Sequence, residues 1–188
     1  TDHVPLKNVS TLITEKLIME KARLMNESLI KDFRLQRPKI AVLGINPHCG
    51  DKGVIGTEDD DIVRPALKKL YFDENILVFG PFAADSFFGS QTYRNYDAVL
   101  APYHDQGLIA FKTIAFGNGV NYTAGLSKVR TSPDHGTAYE IAGKDIADPQ
   151  SFRQAIYTAL DVFRNREEYA ELTKNPLKIR TLELEKDK

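Results

Sequence analysis

The stretch Lys39-Ile-Ala-Val-Leu-Gly-Ile45 carries no polar side chain after its first residue. A strand with one wet face alternates apolar and polar positions; an unbroken apolar run belongs to a strand covered on both faces, as in a parallel sheet between helical layers. Asn46-Pro47-His48-Cys49-Gly50 breaks the run. Ile76-Leu-Val-Phe79, ended by Gly80-Pro81, and Asp97-Ala-Val-Leu-Ala101, ended by Pro102, read as further strands. Val120–Leu126 is also strand-like. Helical patterns fall between these runs, so the chain reads as α/β with a largely parallel sheet.

Residues 10–34 read as the first helix, with Ile18, Ala22, Met25, Leu29 and Phe33 at steps of three and four and Ser10 or Thr11 as its cap. Thr57, followed by Glu58, Asp59, Asp60 and Asp61, opens a second helix, where acids favour the positive end of the dipole. Its apolar face is Ile62, Val63, Ala66, Leu67 and Leu70, and Pro65 is expected to kink it or delay its start. Ala83–Ser90 reads as a short helix or loop, Gly107–Ala115 as a helix, and Ser127–Ala138 as loop. Ser151 is expected to cap a last helix with Phe152, Ile156, Ala159, Leu160 and Phe163 on one face. A polar, partly ordered tail is expected after Tyr169.

With 188 residues, 42% hydrophobic and 27% charged, the chain can bury a substantial core. A net charge of -1 gives no reason to expect nucleic acid or an anionic membrane as partner. No apolar run approaches the ~20 residues that span a bilayer. The single cysteine, Cys49, rules out an internal disulfide and fits a reducing, cytoplasmic compartment. No signal peptide is visible. The first residue is Thr rather than Met, so the natural start is expected to lie upstream.

The four histidines all sit in Pro-, Gly- or Asp-bearing strings, which read as loops. His48 and His104 each follow a predicted strand, so both can reach a crevice at the strands' carboxyl ends. His3, His48 and His104 can serve as three ligands of a catalytic metal with an open position; they can equally be loop histidines satisfying backbone groups. Lys112 lies about two helical turns beyond His104. It is either a proton-transfer group in a cleft or a solvated surface lysine. Asn121 and Arg130 flank a Gly-punctuated strand, and Arg130 is suited to a carboxylate or phosphate. In His135–Gly143, small residues admit a ligand to the backbone. Glu140 can accept from a ribose diol and repels a 2′-phosphate, favouring NAD over NADP. The same segment can also be a helix cap with no ligand, and no Gly-x-Gly-x-x-Gly fingerprint is present.

Taken together, several strings resemble the 4-hydroxythreonine-4-phosphate dehydrogenase family of pyridoxal phosphate biosynthesis. They are His3-Val-Pro-Leu, Gly44-Ile-Asn-Pro-His48, Gly80-Pro-Phe-Ala-Ala-Asp85-Ser, Asp97-Ala-Val-Leu-Ala-Pro-Tyr-His104-Asp-Gln-Gly, Lys112, Gly119-Val-Asn121 and Arg130-Thr-Ser-Pro-Asp-His135-Gly-Thr-Ala. The resemblance runs in order from residue 1 to about Phe163.

It implies an isocitrate/isopropylmalate dehydrogenase-like α/β/α fold. Residues 1–118 would form a central metal-binding and dimerisation lobe, and residues 119–188 the returning part of the cofactor-binding domain. It implies a divalent metal on His3, His48 and His104, shared between the subunits of a homodimer. Zinc suits three imidazoles best, with cobalt or magnesium as alternatives. Lys112, Asn121 and Arg130 fall on substrate-binding positions, and His135, Gly136, Thr137 and Glu140 on an NAD loop.

The implied reaction is oxidation of the secondary alcohol of 4-phosphooxy-L-threonine by NAD, followed by decarboxylation. The metal would lower the pKa of the hydroxyl, and Lys112 would be the first candidate base, with Asp85 or Asp105 as relays. The family chain has roughly another half on its N-terminal side, so this chain is expected to be a C-terminal fragment, inactive or nearly so alone. The alternatives are a dehydrogenase for threonate or erythronate 4-phosphate, and a non-catalytic binding fragment.

Overall fold

The computed structural model describes residues 1, 3–115 and 117–177. In chain order its main elements are α1 (Val9–Leu12), α2 (Glu15–Lys31), β1 (Ile40–Leu43), α3 (Arg64–Phe72), β2 (Val78–Phe82), α4 (Ala84–Gly89), β3 (Ala98–Leu100), α5 (His104–Ile114), β4 (Val120–Tyr122), β5 (Thr131–Pro133) and α6 (Gln150–Thr173).

The apolar run at residue 40 is the middle strand of a three-stranded parallel sheet, ordered β2-β1-β3. Ile40 pairs with Val78 on one side and Ala98 on the other. All four β1 residues are buried, and their parity sorts the core. Ile40 and Val42 face Ile18 and Ala22 of α2 and Ala66, Leu67 and Leu70 of α3. Ala41 and Leu43 face Phe87 of α4, ringed by Phe82, Phe88, Tyr93 and Tyr96. The uninterrupted apolar run therefore reflects helical cover on both faces, as in the isocitrate dehydrogenase-like α/β/α fold.

Several local expectations are corrected. The first helix is broken at Ile13, which is buried and extended (φ -81°, ψ 119°). Its longer part is capped by Thr14, whose hydroxyl accepts from Leu17 N at 3.1 Å, and not by Ser10 or Thr11. Pro65 delays α3: a π-helical turn, Asp59–Val63, comes first, and Pro65 takes a position in the first turn of α3, where no N–H is needed. β2 is not ended by Gly80-Pro81 but runs through that pair to Phe82.

The 119–138 region holds an antiparallel pair, with Asn121 opposite Ser132 and Thr131–Pro133 as a strand the loop-like composition concealed. α6 packs on this pair, and Ala155 and Val162 are its buried residues. Phe152, Ile156, Leu160 and Phe163, expected on the buried face, are each about half exposed. Ser151 does not cap α6 by accepting from its backbone. Its hydroxyl instead donates to Gly119 O (2.9 Å) and accepts from Asp134 N (3.1 Å), pinning the helix start to β4 and the β5 exit. α6 continues past Tyr169 to Thr173, and the rest of the expected tail, residues 178–188, lies outside the described residues.

The two sheets are tied by Asp32, at the end of α2. Its buried carboxylate receives Arg166 Nε at 2.6 Å and Nη2 at 3.0 Å, and the Tyr122 hydroxyl donates to it. Burial alone would raise the Asp32 carboxyl, but the hydrogen bonds from Arg166 and Tyr122 and the Arg166 charge hold it below the usual carboxylate range.

Among the described residues no helix is long and apolar enough to cross a membrane.

Candidate functional site

β1 ends on the loop that carries His48. Six consecutive residues, His48 to Gly53, have positive φ between 44° and 90°, a short left-handed turn. Non-glycine residues held there cost about 1–3 kcal/mol each. Such a turn persists only when its surroundings determine it. Gly50 and Gly53 are its glycines, and a Cβ on Gly50 would sit 2.2 Å from the Gly56 carbonyl oxygen. Glu58 takes a bond from Asn46 Nδ2 at 2.7 Å, and bonds from its own backbone N–H and from Asn46 hold its carboxyl below the usual range.

β3 ends at Leu100, Pro102 follows, and His104 is the first residue of α5. Its Nδ1 lies 2.8 Å from Asp105 Oδ1. With the proton on Nδ1, the imidazole donates to Asp105 and presents Nε2 as its lone-pair nitrogen, the arrangement that orients metal-binding histidines. His3 reaches the same place from the start of the chain: the two rings lie 5.3 Å apart at 45°. The resemblance implies a site shared between subunits; within one chain the fold puts His3 and His104 side by side. Among the described residues no three His, Cys, Asp or Glu side chains gather closely enough to hold a metal, so His48 does not complete the pair within the chain. The donor set still fits a borderline divalent ion: two adjacent imidazoles, one braced by a carboxylate.

Lys112 lies on the last turn of the same helix, α5. Its ammonium is half exposed and 3.8 Å from Asp134 Oδ1. Lys112, Asp134, His135, Asp148 and Ser151 line one cleft of about 480 Å³. Lys112 and the loop histidine His135 therefore share a cavity although far apart in sequence. His135 Nδ1 is 2.9 Å from the Gly136 carbonyl oxygen. Gly136, Thr137 and Glu140 are exposed and stand outside the cleft lining, with Glu140 in a single 3-10 turn, Tyr139–Ile141.

Asn121 and Arg130 sit on the two arms of the β4–β5 hairpin, both exposed; Arg130 Nη1 donates to Thr123 Oγ1 at 2.8 Å. Asp85, in the first turn of α4, lines a second groove, between α4 and α5, together with Asp105 and Gln106, apart from Lys112.

Three residues that sequence reasoning passed over bear on the site. Asp59 was read as a dipole-favouring acid, but it is fully buried and receives Ile45 N at 2.8 Å and Asn46 N at 2.9 Å. Gln106 donates to Gly44 O at 2.7 Å, joining α5 to the loop after β1, while its buried Oε1 has no partner among the described residues. Asp134 is the carboxylate beside Lys112. Only the short spacing from His104 to Gln106 and from Asp134 to His135 hinted at the last two.

The sequence and the fold have counterparts among known proteins. The family model described as pyridoxal phosphate biosynthetic protein PdxA matches residues 1–159. A 4-hydroxythreonine-4-phosphate dehydrogenase of Bacteroides thetaiotaomicron is 52% identical over 178 residues, 95% of this chain and 49% of that protein. The crystal structure of the Klebsiella pneumoniae 4-hydroxythreonine-4-phosphate dehydrogenase superposes with a TM-score of 0.73 at 35% identity, over 86% of this chain and 48% of that one. A terephthalate 1,2-cis-dihydrodiol dehydrogenase from Burkholderia xenovorans superposes with a TM-score of 0.67 at 30% identity, over 85% of this chain and 50% of that one. The chain spans about half the length of the curated relatives it matches.

Proposed function

The chain belongs to the PdxA family of pyridoxal phosphate biosynthetic proteins, and we propose that it supplies the metal-binding and substrate-binding residues of a 4-hydroxythreonine-4-phosphate dehydrogenase. The reaction is NAD-dependent oxidation of 4-phosphooxy-L-threonine at its secondary hydroxyl. The product, 2-amino-3-oxo-4-phosphooxybutanoate, loses carbon dioxide to give 3-amino-2-oxopropyl phosphate. The observation that carries this reading is the meeting of His3 and His104, from strings a hundred residues apart, at the start of the helix that presents Lys112 to a cleft.

His3, His48 and His104 would hold a divalent metal, zinc before cobalt or magnesium, which supplies Lewis-acid polarisation of a substrate oxygen when bound. The ligands come from two copies of the chain in a homodimer, which accounts for a His3–His104 pair that His48 of the same chain does not join. Asp105 orients His104. Arg130 and Asn121 grip the anionic groups of the substrate, Arg130 through its planar guanidinium. Lys112, as the neutral amine, takes the hydroxyl proton, and Asp134, 3.8 Å away, stabilises the ammonium so formed. Asp85, in the groove with Asp105, is the outer candidate for passing protons to solvent. His135, Gly136, Thr137 and Glu140 face bound NAD, which supplies the hydride acceptor. Residues 1–118 act as the metal-binding and dimerisation lobe and residues 119–188 as part of the cofactor domain. The lone thiol of Cys49 suits a cytoplasmic setting.

The test mixes two inactive variants of the full-length protein, His48→Ala and His104→Ala. Ligands from different copies regenerate one intact site in the mixed dimer, so NADH formation from 4-phosphooxy-L-threonine returns on mixing. Full activity of either single variant, or none after mixing with proven subunit exchange, overturns the shared site. A parallel assay with threonate 4-phosphate reports on substrate, which the fold does not set, since a relative of the same fold bears the name of a dihydrodiol dehydrogenase.

A further inference from the structure

We infer that Asp59 is a positioning residue for His48: its carboxylate takes the last backbone N–H groups of the strand end and so holds the left-handed turn that carries the imidazole. The functional meaning rests on the reading of His48 as a metal ligand.

Asp59 is fully buried, and among the described residues it enters no ion pair. A carboxylate away from water is costly unless its oxygens are used. Here both are, one by Ile45 N at 2.8 Å and one by Asn46 N at 2.9 Å. Those residues follow the end of β1 at Leu43 and lead the chain into the turn that carries His48. Neighbouring Glu58 holds the side chain of Asn46 from the same turn.

The other side of the turn is closed by Ile55 N donating to Gly50 O at 3.0 Å, with Gly50 so near Gly56 that no side chain fits. Gly44 is also close to the turn: a Cβ there would meet Cys49 Sγ at 2.9 Å and Asp59 Oδ1 at 3.0 Å. Asp59 itself opens a π-helical turn that leads into α3; such turns gather at functional sites. A run of left-handed residues relaxes unless both ends are fixed, and Asp59 with Glu58 fixes the incoming end. An asparagine in its place keeps one acceptor and turns an NH2 toward the second N–H.

The test uses the metal-free, full-length protein and Asp59→Asn. Amide exchange across residues 45–56 is expected to quicken while α2 is unchanged. Cobalt(II) affinity is expected to fall about 10- to 100-fold with a shift of its visible bands, as when an orienting group behind a ligand is lost. A wild-type value for either readout in the folded variant overturns the inference. His48→Ala is run alongside. If cobalt binds it as well as the wild type, the metal reading fails instead, and the positioning claim stands or falls on exchange alone. Should Asp59→Asn not fold, the wild type is read instead: the Ile45 and Asn46 amides, bonded to the buried carboxylate, are expected to exchange as slowly as those of β1, and fast exchange at both overturns the inference.

Discussion

Asp32 and Arg166 face each other across the joint between the parallel sheet and the β4–β5 pair, Nε to Oδ1 at 2.6 Å, with the carboxylate almost wholly buried. Arg166 also donates to Leu126 O at 3.0 Å, and Asn165 Nδ2 donates to Asp32 O at 2.7 Å. The pair is a fastener between α2, the hairpin and α6. Removing one partner leaves a buried charge uncompensated, which typically costs about 3–5 kcal/mol. Arg166→Met is therefore expected to lower the urea midpoint by that equivalent, whereas Arg34→Met, which breaks the exposed contact to Glu168, should cost less than about 1 kcal/mol. Equal losses in the two variants would refute the fastener.

The same pair sets a pH dependence. The Asp32 carboxyl is lower in the folded chain than in the unfolded one, because the Arg166 and Tyr122 bonds outweigh the burial that opposes them. Its contribution is therefore complete above the unfolded carboxylate value, about 3.9, and is lost as pH falls through the lower folded value. Asp32→Asn should be less stable than the wild type at neutral pH and should lose less on acidification below about pH 4. Urea melts of both proteins across the acid range check this; parallel acid limbs would assign the acid sensitivity to other carboxyls.

The parallel sheet and its two covered faces were legible because burial on both sides leaves a mark that local pattern can carry: four consecutive apolar residues in β1. Thr131–Pro133 was not, since three residues with a proline have no periodicity to read. α6 shows a limit of another kind. Phe152, Ile156 and Leu160 recur at helical spacing yet point outward here, so amphipathic pattern located a face without saying what covers it. At the site, the residue types were visible and the gathering was not. His3 beside His104 and Lys112 beside His135 depend on strand order. Asp59 looked like its neighbours Asp60 and Asp61 because nothing in a run of acids says which one turns inward.

Gly50 has a positive φ of 82° and no room for a Cβ, which would lie 2.2 Å from Gly56 O. Gly50→Ala therefore combines left-handed strain with a backbone clash and should cost on the order of 2 kcal/mol or more. Gly89→Ala meets nothing within 4 Å inside the helical segment Ala84–Gly89 and should change stability by less than about 1 kcal/mol. Thermal melts of the two variants provide the comparison, and a Gly50→Ala protein as stable as Gly89→Ala would show that the turn rearranges at little cost.

Lys112 is the side chain whose role kinetics can divide. It lines the cleft with His135, 3.8 Å from Asp134, and stands on the helix that begins with His104. If it moves the substrate's hydroxyl proton, Lys112→Ala in the full-length protein should lower kcat by about 10²- to 10⁴-fold. Metal content should stay at the wild-type level, because Lys112 is not among the imidazole ligands. If it only binds the substrate's anionic groups, KM should rise with kcat nearly unchanged, and Lys112→Arg should restore much of the affinity. A guanidinium cannot give up a proton near neutral pH, so Lys112→Arg should stay as slow as Lys112→Ala under the first role and recover under the second.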